Sequence, residues 1–186
     1  MSTALILVDI QNDYFPGGSM ALHEMEPAAD NAARLLAAFR DRGAPRYHVQ
    51  HLSVRPGATF FVPGTPGVEI NERVIPADGE PVVQKNFPNA FRDTTLLETL
   101  RSDGIQDLVI VGAMSHMCID GAVRAAKDFG FAVTVIHDAC ATRDLEFGET
   151  VVPAAQVHAA FMSALGFAYA KVISAEEHLS GLAEAA

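Results

Sequence analysis

Short apolar runs alternate along this chain with segments whose apolar residues recur at helical spacing, and that alternation permits few folds. Ala4 to Val8, Arg46 to Leu52, Val82 to Gln84, Val109 to Val111, Ala132 to His137 and Tyr169 to Ile173 read as strands. Between them a helix is expected from about Pro27 to Arg42, with Ala32, Leu35, Leu36 and Phe39 buried and Gly43 at its end. Leu96, Leu97 and Leu100 mark a second helix; Ile119, Ala122, Val123, Ala126 and Phe129 mark a third, which Gly130 stops. On a fourth, Val157, Ala160, Phe161, Ala164 and Leu165 are expected to face inward, and Ser174 with Glu177 opens a terminal helix as a capping box. Repeated β–α units with wholly apolar strands imply a parallel sheet covered by helices on both faces. No repeat or linker divides the chain, so residues 1–186 are expected to form one domain. Residues 53–80 hold several Pro and Gly and no clear period. A loop of that length is expected to serve function, at its own active site or over a neighbouring subunit.

Charge narrows the class of partner. Asp+Glu 23 against Lys+Arg 13 gives a net charge of −10, which disfavours nucleic acid and anionic membrane as partners. No apolar run is long enough to span a bilayer and no leader pattern precedes the first strand. Two cysteines, Cys118 and Cys140, form no disulfide framework, and a reducing cytoplasm is the expected compartment.

In parallel sheets the active site lies beyond the carboxyl ends of the strands, near the reversal of strand order. Asp9 ends the first strand, Lys85 ends the third, and Cys118 follows the fourth at the start of a helix. Each alone has an ordinary explanation: a turn cap, a solvated lysine, a core cysteine. Together they make a reaction centre. A carboxylate beside a thiol can take its proton, an ammonium stabilises both anions, and a helix start is expected to lower the thiol pKa. Cys140, by contrast, reads as a packed thiol with no redox role.

The motifs Asp9-Ile-Gln-Asn-Asp13, Lys85 with Phe87 and Ala90-Phe91, and Val111-Gly-Ala-Met-Ser-His-Met-Cys118 resemble those of the isochorismatase-like cysteine hydrolases. That family includes nicotinamidases and other small-amide hydrolases, and the resemblance covers nearly the whole chain. It implies a three-layer Rossmann-like α/β fold with a six-stranded parallel sheet, and a catalytic triad of Asp9, Lys85 and Cys118. It also implies a non-proline cis peptide at Ala113–Met114, with the Met114 and Cys118 N–H groups as the oxyanion hole. The activity implied is cleavage of the C–N bond of a small amide through a thioester, without a cofactor, by a homodimer or homotetramer.

The departures bear on substrate. Nicotinamidases of the family carry a metal on an Asp-x-His pair after the second strand, where this chain has Tyr47-His48-Val49-Gln50-His51-Leu52. His48 and His51 fall on opposite faces of a strand and cannot share an ion, so no metal is expected. His116 stands where nicotinamidases often have Asp. Phe15, Phe87 and His116 are the candidate substrate contacts, with Phe60 and Phe61 as further possible walls and Arg55 and Arg143 as possible carboxylate partners. Three alternatives stand beside the amidase: an isochorismatase-type vinyl-ether hydrolase, a Cys–His hydrolase using His116 or His137, and a catalytically silent binding protein. Cys118 argues against the first, since those members manage without a cysteine.

Overall fold

The computed structural model describes residues 2–184 and bears out the α/β architecture. In chain order it comprises β1 (Ser2–Val8), α1 (Met25–Asp41), β2 (Arg46–His51), β3 (Val82–Lys85), α2 (Leu96–Ser102), β4 (Ile105–Ala113), α3 (Asp120–Asp128), β5 (Ala132–Ala141), β6 (Leu145–Phe147), β7 (Thr150–Val152), α4 (Ala154–Ala168), β8 (Lys171–Ile173) and α5 (Ala175–Glu184). Six strands form one parallel sheet in the order β3-β2-β1-β4-β5-β8. The order reverses between β1 and β4, which puts a crevice at their carboxyl ends.

Side-chain alternation along the strands separates two cores. Leu5 and Leu7 of β1 and Val109 and Val111 of β4 face α1, burying Ala32, Leu35, Leu36 and Phe39. Ile6, Val8, Leu108 and Ile110 face the other way, onto Leu96, Leu100, Ile119, Val123, Met162 and Leu165. At the crevice β1 and β4 close completely. A Cβ on Gly112, whose φ is +122°, would lie 1.9 Å from the Val8 carbonyl oxygen, so only glycine fits.

Three expectations need correction. β5 runs on past His137 to Ala141, because after a register shift Cys140 and Ala141 pair with Gly112 and Ala113. On α4 the inward face is Ala154, Val157, Met162 and Leu165; Ala160 and Ala164 are exposed and Phe161 half-buried. That helix is apolar almost all round, so no polar stripe marks its outer side. A small antiparallel hairpin, β6–β7, precedes it in a stretch that carries no strand signal. Among the described residues no helix is long and apolar enough to cross a membrane.

The excursion 53–80 folds back on its own domain. Asn12 and Gln11 donate side-chain hydrogen bonds to the carbonyls of Pro66 and Val68, and Asp13 accepts from the Phe61 N–H at 2.6 Å. Gly67 packs on that carboxylate, where a Cβ would lie 2.1 Å from Asp13 Oδ1. At the loop's far end the buried Glu80 accepts from Arg40 and Arg46 at 2.6–2.8 Å and lies 2.9 Å from His48 Nε2.

Candidate active site

Asp9, Lys85 and Cys118 meet at the carboxyl edge of the sheet. Asp9 follows β1 in the left-handed region (φ 53°), its N–H bonded to the Val49 carbonyl, and it is fully buried. Lys85 is the last residue of β3 and pairs in register with His51 of β2, so its side chain passes the end of β2 to reach the crevice. Cys118 lies in a π-helical turn, Ser115–Ile119, between β4 and α3 rather than in the first α-helical turn. The peptide Ala113–Met114 is cis, at the position the motif resemblance implies.

One ammonium joins the cluster. Lys85 Nζ donates to Asp9 Oδ2 at 2.7 Å and to Cys118 Sγ at 3.3 Å, and lies 2.8 Å from His51 Nδ1. Both Asp9 and Lys85 are removed from solvent, which makes the pair costly unless it is fully engaged. It is not: Asp9 Oδ1 is buried without a hydrogen-bond partner. An unsatisfied carboxylate oxygen beside a thiol is a base with its proton-accepting lone pairs free.

The charges settle the resting protonation states. Burial opposes the Lys85 ammonium, but Asp9 and Cys118 outweigh it and raise its pKa above the ordinary lysine value. His51 is held neutral, its pKa lowered to about 4 by burial and by the neighbouring Lys85. Its Nδ1 therefore accepts from Lys85 and the ring proton sits on Nε2. Cys118 departs from the sequence expectation. Burial first, then the Asp9 carboxylate, push the thiol well above its usual range, against the pull of Lys85. The free site holds a thiol, and a helix start does not make a thiolate there.

Asp9, His51 and Cys118 also offer ligand atoms within 4.8 Å of one another. The centre of that trio is the place of the Lys85 ammonium, which contacts all three, so a divalent cation would have to displace it. The donor set does not fit a metal. The neighbouring His48 turns to Glu80 instead, as its place three residues from His51 on one strand requires.

Above the cluster opens a cavity of about 490 Å³. Tyr14, Phe60, Phe87 and Met117 wall it, His51 and Cys118 lie at its base, and Arg55 is its cation. Phe87 is thus at the cavity, stacked under Arg92 at 3.7 Å. Phe15 and His116 are not. Phe15 is buried beneath Arg73, and His116 Nδ1 lies 2.6 Å from Thr142 Oγ1. His137 lines a separate cavity of about 380 Å³ together with Cys140, so neither histidine of the Cys–His alternative is beside Cys118. Arg143 bonds to Asp144 and Met20.

The residues missing from the sequence reading are His51, Tyr14 and Gln11. Gln11 grips the His51 backbone from both sides, accepting from its N–H at 2.8 Å and donating to its carbonyl at 3.0 Å. The signal for His51 was present, since it ends β2 at the same sheet edge as Asp9 and Lys85.

Known proteins resemble this chain over most of its length. The model of the isochorismatase domain matches residues 3–177. The isochorismatase family protein YddQ of Bacillus subtilis is 51% identical over 179 residues, covering 96% of this chain and 99% of that protein. Maleamate amidohydrolase of Pseudomonas putida is 30% identical over 154 residues, 75% of this chain and 72% of that one. Among solved structures, an isochorismatase hydrolase from Oleispira antarctica superposes with a TM-score of 0.93 at 54% identity, covering 96% of each chain.

Proposed function

Because the chain belongs to the isochorismatase family of hydrolases, we propose that it cleaves the C–N bond of a small amide through a thioester on Cys118. The observation that carries this reading is the contact of one ammonium with both Asp9 and Cys118, below a cavity wide enough for a small organic substrate. A relative named as an amidohydrolase supports the bond type.

The steps follow from the protonation states. Asp9 takes the Cys118 proton on its unpartnered oxygen as Sγ forms a bond to the carbonyl carbon. The carbonyl π electrons move to oxygen, and the backbone N–H groups of Met114 and Cys118 receive that oxyanion. Collapse expels the amine, which leaves with the proton held by Asp9. A water then gives its proton to Asp9 and its oxygen to the thioester carbon. The acid departs, and Sγ recovers the proton. Lys85 pairs with Asp9 and stabilises sulfur as its charge develops. Because the thiol is disfavoured as an anion in the free site, proton transfer and attack are coupled.

A histidine base finds no support, since His51 Nδ1 already faces Lys85 and its pKa is low. A silent binding protein would not require a carboxylate held unsatisfied beside a thiol. The test is a panel of small amides scored by ammonia or amine release, with mass spectrometry for an acyl group on Cys118. Cys118→Ala is expected to lose at least about 10³-fold in turnover, with an unchanged circular-dichroism spectrum. Near-wild-type turnover by that variant would overturn the thioester.

A further inference from the structure

Among the polar groups of the cavity wall that the proposed mechanism leaves unused, Tyr14 is the most deeply buried. It is 1% exposed and lines the cavity that Cys118 opens into. Its ring is wedged against Phe61 at 4.6 Å and Phe60 at 6.2 Å, both from the excursion 53–80. Buried tyrosines ordinarily find a partner for the hydroxyl. No side chain or backbone group among the described residues bonds this one, whereas the comparably buried Tyr47 gives its hydroxyl to Asp103. The phenol is near enough to Cys118 and Asp9 that, after burial, both raise its pKa well above the ordinary value. It stays protonated at neutral pH and offers an O–H rather than a proton.

We propose that Tyr14 is a specificity-determining residue, whose hydroxyl donates a hydrogen bond to an acceptor atom carried by the acyl part of the substrate. This rests on the amidase reading. A leaving group as small as ammonia fills little of about 490 Å³, so the acyl part occupies the cavity and meets its walls. Those walls are mostly apolar and aromatic, and an O–H enclosed there discriminates strongly against an acyl group that leaves it unpaired. The substrate class is an amide whose acyl side carries a hydrogen-bond acceptor, such as a ring nitrogen, ether or carbonyl oxygen, set away from the scissile bond.

Aryl aldehydes test this whatever the natural substrate is. The Cys118 sulfur adds to the aldehyde carbon, the C=O π bond breaks, and the thiol proton ends on the oxygen. The thiohemiacetal forms reversibly and without redox change. Protection of Cys118 from iodoacetamide, read by mass spectrometry, gives the affinity of benzaldehyde and of the three pyridinecarboxaldehydes. In the wild type at least one pyridine isomer is expected to protect more tightly than benzaldehyde. Tyr14→Phe keeps the ring packing and is expected to weaken that isomer by about 10-fold or more, with benzaldehyde changed less than about twofold. An equal shift for all four aldehydes, no shift for any, or no protection by any overturns the assignment. Failure of the amidase reading shows separately, as amide turnover that survives Cys118→Ala.

Discussion

Two buried charge clusters hang from one strand, three residues apart, and they are built to opposite ends. On one face of β2, His48 belongs to a group centred on Glu80, whose oxygens take bonds from Arg40, Arg46 and the Ala77 N–H beside the His48 contact. At the carboxyl end, His51 belongs to a group centred on Lys85, in which Asp9 keeps one oxygen empty. The first carboxylate is saturated and lies away from the Cys118 cavity; it ties the end of the long excursion to α1 and β2. The second is left short of a partner next to a thiol and a cavity. Burial and charge alone do not mark a reaction centre. Nor does an unpartnered buried atom, since His48 Nδ1 is one too; a free carboxylate oxygen set beside a thiol and a cavity distinguishes the second cluster.

Matched neutral substitutions should separate the two most sharply. Asp9→Asn preserves shape and removes the base. Turnover of whichever amide proves active is expected to fall at least about 10³-fold. Glu80→Gln is expected to leave kcat/KM within about twofold and to destabilise the fold by about 2–3 kcal/mol, between the exposed and fully buried limits for ion pairs. Chemical denaturation and steady-state rates measure both. Large loss of activity in Glu80→Gln with unchanged stability would erase the distinction.

The contrast also explains what was legible in the sequence. Asp9, Lys85 and Cys118 could be found because each ends or follows a strand, and strand ends converge in a parallel sheet. Wholly apolar strands likewise signalled a sheet buried on both faces. What failed was whatever depended on turns. A 3-10 turn at Asn12–Tyr14 turns Tyr14 to the cavity and leaves Phe15 under Arg73. A π-helical turn carries His116 to Thr142, where α-helical spacing gives no guidance. His51 ends β2 at the same edge and was legible there; its spacing from His48 speaks to a shared ion and not to its contact with Lys85. The faces of α4 were hidden by composition, since alanines lie on both sides.

Acid should act on the two clusters in separate windows. His51 has a folded pKa of about 4, below its unfolded value near 6.5. Between those values the unfolded chain binds more protons, so this contribution to stability is complete above about pH 6.5 and is lost as pH falls toward 4. Arg40 above all, helped by Arg46 and His48, holds Glu80 well below the usual carboxylate range. Its contribution persists to lower pH and disappears only as the carboxylate itself protonates. Melting temperature against pH should therefore decline first through the histidine window, where His48 adds to the slope because burial lowers its pKa too. It should decline again below about pH 4.5. Glu80→Gln is expected to flatten the lower limb, to spare the His51 part of the upper one, and to steepen the His48 part, because Glu80 no longer raises that pKa. A single transition unaltered by that substitution would show that Glu80 is not the acid-sensitive tie.

The smallest effect is expected at the second cysteine, where burial is present without a carboxylate–ammonium pair. Cys140 is 7% exposed, and burial pushes its thiol up to about 12. It sits in β5 opposite Gly112, on the other side of β4 from β1 and Asp9. Both thiols are protonated in the free protein, so their resting pKa values do not distinguish them. Access to a base does in the proposed mechanism, where Asp9 accepts the Cys118 proton during attack; Cys140 has no buried carboxylate–ammonium pair beside it. Iodoacetamide at neutral pH should label one site per folded chain, at Cys118. Cys140→Ala should leave that stoichiometry and the turnover unchanged, at a packing cost of about 1 kcal/mol for the lost sulfur. Equal alkylation of the two cysteines in the native protein would mean that cavity access alone governs thiol reactivity here, and that Asp9 contributes nothing to it.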